Sequence, residues 1–169
     1  MEEIEEYFQE LMFSLSNRSS AKEQALEELF FEDALKELIV DGHSFESSAE
    51  DGEGTDGYKY TPFKSRGLRI DGYEYIQDRE IINLYVCDFS NESSLQTITQ
   101  TQVNQLLSNA KNFFEKSLND SFISQLEEES EANALEVARF IYDFEEKIQQ
   151  VNFVLITNSI LSKSIKSLL

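Results

Sequence analysis

The sequence predicts a mixed α/β fold: a β-sheet of about four strands, centred on an antiparallel hairpin and flanked by helices. Three observations predict it. Leu68–Ile76 and Ile81–Phe89 are rich in β-branched and aromatic residues, and only the polar link Gln77-Asp78-Arg79-Glu80 separates them; this reads as two strands and a tight turn. Val151–Ile156 (Val-Asn-Phe-Val-Leu-Ile) is a short apolar run, expected as an interior strand buried on both faces and parallel to a neighbour. Around these runs, apolar residues recur at helical spacing. At 169 residues, 40% hydrophobic and with 13 Phe, the chain suits a single domain with a sizeable core. An acidic helical part over 1–57 would precede an α/β core over 58–169.

In chain order, Ile4, Phe8, Leu11, Met12 and Leu15 form a stripe that predicts a helix over 2–15, and the acids at 2, 3, 5 and 6 complement its dipole. Ser20 with Glu23 has the capping-box pattern and predicts a second helix opening there. Its stripe (Leu26, Leu29, Phe30) restarts as Phe31, Ala34, Leu35, Leu38, Ile39, so a bend or two short helices is expected near residue 30, with Gly42 as the stop. The polar, glycine-bearing segment 43–57 reads as an acidic loop. Tyr58–Phe63 predicts a short strand, with Pro62 at its end or at an edge position. After a polar turn at Ser90–Ser94, Thr99 and Gln102 form a second capping box. The cleanest helical stripe follows: Val103, Leu106, Leu107, Ala110, Phe113, Phe114 and Leu118. A loop or short helix through 120–130 leads to a helix with Ala134, Val137, Ile141, Phe144 and Ile148 on one face. Thr157, Asn158 and Ser159 supply caps for a last helix bearing Ile160, Leu161, Ile165, Leu168 and Leu169. That apolar end reads as cut from something longer. It predicts packing on a missing C-terminal region of the same protein, or a weak homodimer.

Charge narrows the function classes. The net charge is −19, and the first 56 residues hold 17 acidic side chains against 3 basic ones. Such a domain repels phosphates at long range, which disfavours unaided binding to nucleic acid and favours a basic protein partner for the acidic helices. One basic island interrupts the pattern: Lys59, Lys64, Arg66 and Arg69 lie in a stretch without acids, as a phosphate or partner contact or as a solvated loop answering nearby carboxylates. The single Cys87 allows no intramolecular disulfide and no CxxC metal site, and its apolar strand suits a buried thiol. His43, also alone, leaves a Ser-His-Asp triad only through itself. Glu50, Asp51, Glu53 and Asp56 are closely spaced, but they miss the EF-hand pattern. No signal peptide and no apolar run near the ~20 residues of a membrane span appear, so a soluble cytoplasmic protein is expected.

The chemistry turns on two acids, Asp71 in Ile70-Asp71-Gly72 and Asp88 in Val86-Cys87-Asp88, on neighbouring strands. Helix, antiparallel strands, helical crossover and a further strand is an order that resembles restriction-endonuclease-like (PD-(D/E)xK) folds. Such folds place an acid on the second strand and (D/E/Q)-x-K on the third, so that both side chains share one face. Asp71 falls on the first position, and Val86 and Asp88 fall on the other two. Arg69-Ile-Asp-Gly-Tyr73, Asn83-Leu-Tyr-Val-Cys-Asp-Phe89, Leu95-Gln-Thr-Ile-Thr99 and Phe153-Val-Leu-Ile-Thr157 together resemble the N-terminal domain of AIPR (abortive infection phage resistance) proteins, over roughly residues 60–169.

That resemblance implies bacterial antiphage defence, with a further C-terminal region. The pattern departs from an active nuclease at the chemistry itself. Val86 offers no ligand for Mg²⁺, and Asp88 puts negative charge where a lysine should stabilise the phosphate. The first reading is therefore a degenerate nuclease-like domain without a cofactor, acting in recognition or docking. The alternative is a living metal-dependent nuclease in which Asp71 and Asp88 hold Mg²⁺ and Lys64 or Arg66 supplies the displaced cation. A third is an acidic interaction domain of unrelated origin. Structurally, Asp71 before Gly72 also suits a turn or bulge, and Asp88 at a strand end suits a loop cap.

Overall fold

The computed structural model describes residues 2–22, 25–40 and 57–162. His43, the Glu50–Asp56 acids, Gly42 as helix stop, and Ile165, Leu168 and Leu169 lie outside the described residues. Two helices come first, α1 (Glu2–Lys22) and α2 (Leu26–Val40). Strands β1 (Lys59–Ser65), β2 (Leu68–Ile76), β3 (Ile81–Asp88) and the short β4 (Thr97–Ile98) follow. Then come α3 (Gln100–Ser117), α4 (Asp120–Glu128), α5 (Ala132–Phe144), β5 (Gln150–Thr157) and β6 (Ile160–Leu161).

The predicted hairpin forms as read. β2 and β3 pair antiparallel from Ile76↔Ile81 to Gly72↔Tyr85, and the Gln77–Glu80 link closes through Arg79 and Glu80 N–H bonds to the Ile76 and Gln77 carbonyls, both 3.3 Å. The sheet order is β1-β2-β3-β5, mixed, because β5 runs parallel to β3. β1 is therefore an edge strand, and its pairing with β2 shifts by one residue between Tyr60 and Phe63. Pro62, which cannot donate to a ladder, sits at that irregularity.

Side-chain alternation sends two sets of apolar residues to opposite faces. Ile82 and Leu84 meet Phe113 of α3, Phe122 and Leu126 of α4, and Val137 and Ile141 of α5. Tyr85, Cys87 and Ile156 meet Leu15 of α1 and Leu29, Phe31 and Leu35 of α2. Each such side chain, fully buried, contributes about 1.5–3 kcal/mol. The Thr99–Gln102 capping box opens α3 with both reciprocal bonds in place.

Four expectations are corrected. Ser20 lies inside α1, which runs on to Lys22, so it opens no second helix; continued helix satisfies the backbone that a cap would otherwise serve. The phase slip at Phe30/Phe31 does not split the segment into two short helices. α2 is one helix whose Leu29, Phe30, Phe31 and Leu35 are all buried, a stripe wide enough to absorb both phases. β5 is parallel to β3 as expected, but among the described strands it ends the sheet rather than lying inside it, and most of its residues are only half-buried. Ile160 and Leu161 are strand, not helix. They pair with Thr97 and Ile98 as β6, and Thr157–Ser159 turn the chain into that strand instead of capping a helix. Two-residue strands are too short to show a period in sequence.

Candidate functional site

At the Gly72 end of the hairpin, β2 and β3 stop pairing through backbone, and side chains take over. Residues two apart on a strand share a face. Arg69 and Asp71 do so, with Asp71 Oδ2 accepting from Arg69 Nε at 3.0 Å. The same oxygen accepts the Cys87 N–H at 2.7 Å, while Arg69 Nη2 donates to the Cys87 carbonyl at 2.5 Å. The pair thus brackets both backbone groups of Cys87. From α2, Glu27 reaches Arg69 at 3.6 Å. Only 4% of Asp71 is exposed, and Val86 and Cys87 are fully buried.

Burial raises the Asp71 carboxyl above its usual range, against the pull of Arg69, the Cys87 N–H and Lys64. Glu27 is raised too, by burial first and then by the charge of Asp71, with Arg69 opposing. Burial likewise pushes the Cys87 thiol far up, which leaves it an inert core group. Asp88 does not join Asp71 directly. Its Oδ2 accepts the Thr157 hydroxyl at 2.8 Å and its carbonyl accepts Asn158 N–H at 3.3 Å, tying the ends of the parallel strands β3 and β5 together.

The four basic residues do not form one patch. Lys59 pairs with Glu136 of α5 at 3.7 Å and lies over the Tyr73 ring. Arg66 stands at the β1–β2 turn beside Asn112 and Glu115 of α3. Lys64, opposite Arg69 in the ladder, and Arg69 itself are the two that bear on Asp71. Among the described residues, no three His, Cys, Asp or Glu side chains converge as a metal site would need. Glu27 is the member of this cluster that sequence reasoning missed. It follows Leu26 at the start of the α2 stripe, where an acid reads only as dipole-favoured.

The family model described as the abortive infection phage resistance protein N-terminal domain matches residues 30–168. The chain belongs to this family. No curated protein and no solved structure matches it. Within this AIPR N-terminal domain, the matched residues take in the hairpin, Asp71, Asp88 and both strand ends, whereas α1 and Glu27 precede them. No helix among the described residues is long and apolar enough to cross a membrane.

Proposed function

We propose that this chain is the nuclease-like N-terminal domain of a phage-defence protein, and that it works by recognition or docking rather than by cutting. The observation that carries this reading is the use already made of the motif acid. Asp71 is buried and spends its Oδ2 on Arg69 and the Cys87 N–H, so it serves the sheet instead of facing solvent. Mg²⁺ demands near-octahedral oxygen ligands at about 2.0–2.1 Å. Here the Asp71 and Glu27 carboxylates share a guanidinium, Val86 adds no ligand atom, and Asp88 is engaged with Thr157. That donor set does not fit the ion. In this reading the domain acts in the bacterial cytoplasm, joined to a further C-terminal region of the same protein.

The test is incubation with single- and double-stranded DNA and RNA in Mg²⁺ and in Mn²⁺. The expected result is no cleavage above background, with wild type and Asp71→Ala indistinguishable. Robust cleavage that Asp71→Ala abolishes would overturn the proposal. A second reading, the living nuclease, has one observation in its favour: a basic side chain does meet Asp71, through Arg69, with Lys64 close enough to lower its carboxyl. That reading needs Asp71 to become accessible, and the same assay separates the two.

A further inference from the structure

α1 keeps apolar surface that the other described residues leave open. Ile4 is 46% exposed and Tyr7 56%. With Phe8, Leu11, Phe30 and Ile160 they line a groove of about 470 Å³ between α1, α2 and the β5–β6 connection. That size falls within the ~300–1,000 Å³ of ligand clefts. The rim carries Asp33, which Arg18 already pairs at 2.9 Å, together with Lys36 and Glu37. Across α1 lies a second trough that shares Leu95 with the first. Glu2, Glu5, Glu6 and Glu10 wall it, and no base is among its lining residues. The helix thus separates an apolar groove from a row of four carboxylates.

We propose that these two surfaces form one docking site for a basic amphipathic helix of a partner protein. Apolar side chains of the partner at i, i+3 or i+4, and i+7 fill the groove. Its lysines or arginines lie across α1 over the acidic trough. This rests on the recognition reading above and names the partner's chemistry. Charge selects the occupant: the same four carboxylates repel a nucleic acid, and a second copy of this chain would bring its own acidic α1 against them. α2 from Phe30 onward and the β5–β6 connection belong to the family match, whereas α1 precedes it, so one wall of the groove is common to the family match and the other is not.

The test uses the full chain and a fluorescein-labelled Leu/Lys amphipathic helix of roughly 14 residues, with a Leu/Glu helix of the same pattern as control. Fluorescence anisotropy is expected to show saturable one-to-one binding of the Leu/Lys helix and none of the Leu/Glu helix. Ile4→Asp and Tyr7→Asp, at positions already exposed, should each weaken binding by at least roughly tenfold. Glu6→Lys with Glu10→Lys should weaken it and flatten its salt dependence. No binding of the Leu/Lys helix would overturn the proposal. So would binding indifferent to both apolar variants, since charge alone would then explain it. A concentration-dependent dimer in sedimentation that Ile4→Asp abolishes would give the groove to a second copy and would equally overturn it. Nuclease activity lost in Asp71→Ala would sink the recognition reading while leaving these binding curves as they are, so the two failures are distinct.

Discussion

A carboxylate as buried as Asp71 needs partners, and it has two in Arg69 and the Cys87 N–H. Asp71→Ala leaves that N–H without its acceptor, and leaves Arg69 with the Cys87 carbonyl and only Glu27 as a counter-charge. The expected loss is about 2–4 kcal/mol in urea unfolding. Asp71→Asn keeps an amide oxygen for Cys87 and should cost at most about half of that. The pH dependence has a definite sign. Burial holds the folded Asp71 carboxyl above its ordinary 3.8, so the native state keeps its proton to higher pH than the unfolded chain does. Stability from this group is fully present below pH 3.8 and is lost as pH rises through the folded value. Glu27 acts in the same direction. Melting temperature should therefore fall as pH climbs from the acid side through that window, and less steeply in Asp71→Asn. At this scale the sequence was half legible. Arg69 and Asp71 stand two apart on a readable strand, so their meeting followed from alternation. The reach of Glu27 did not, because it depends on where α2 docks.

Elements were most legible where a local signal and the packing agreed. The hairpin boundaries, the α3 capping box and the parallel sense of β5 could all be read from the chain. The extent of α1 and the edge position of β5 could not, since continuing helix and sheet order are decided by contacts distant in sequence. Gly72 shows what a close approach of elements requires. A Cβ there would fall inside contact distance of the Phe31 ring from α2 and 2.6 Å from the Lys59 carbonyl oxygen of β1. Gly72→Ala must push α2 off the sheet or spread β1 from β2. The expected loss is about 1–3 kcal/mol, read as a lower urea midpoint. Adding Phe31→Leu should recover only part of it, because the backbone oxygen stays in place. Full recovery would show that the ring alone sets the limit.

For the whole molecule, the sheet carries three helices on one face and two on the other, and the two helices of the thinner cover hold ten acidic side chains against three basic ones. Mutual repulsion of that charge opposes compaction, and salt screens it. Raising NaCl from about 10 mM to about 300 mM should therefore raise the melting temperature. A fall would mean that ion pairs such as Arg18–Asp33 outweigh the repulsion.

The outermost strands of the sheet are not equally protected. β1 is guarded by its bulge, Pro62 and flanking lysines, but β5 has none of these. Gln150–Thr157 holds no charge, no proline and no glycine, and is dominated by residues that favour extended pairing. Among the described residues no strand lies beyond β5 in the sheet, so its outer row of amides and carbonyls can template a strand from another molecule. Whatever loosens the helices that half cover this strand is expected to turn the protein toward fibrillar assembly, read as a rise in thioflavin T fluorescence, with the eight residues 150–157 as the place where the first intermolecular ladder should form.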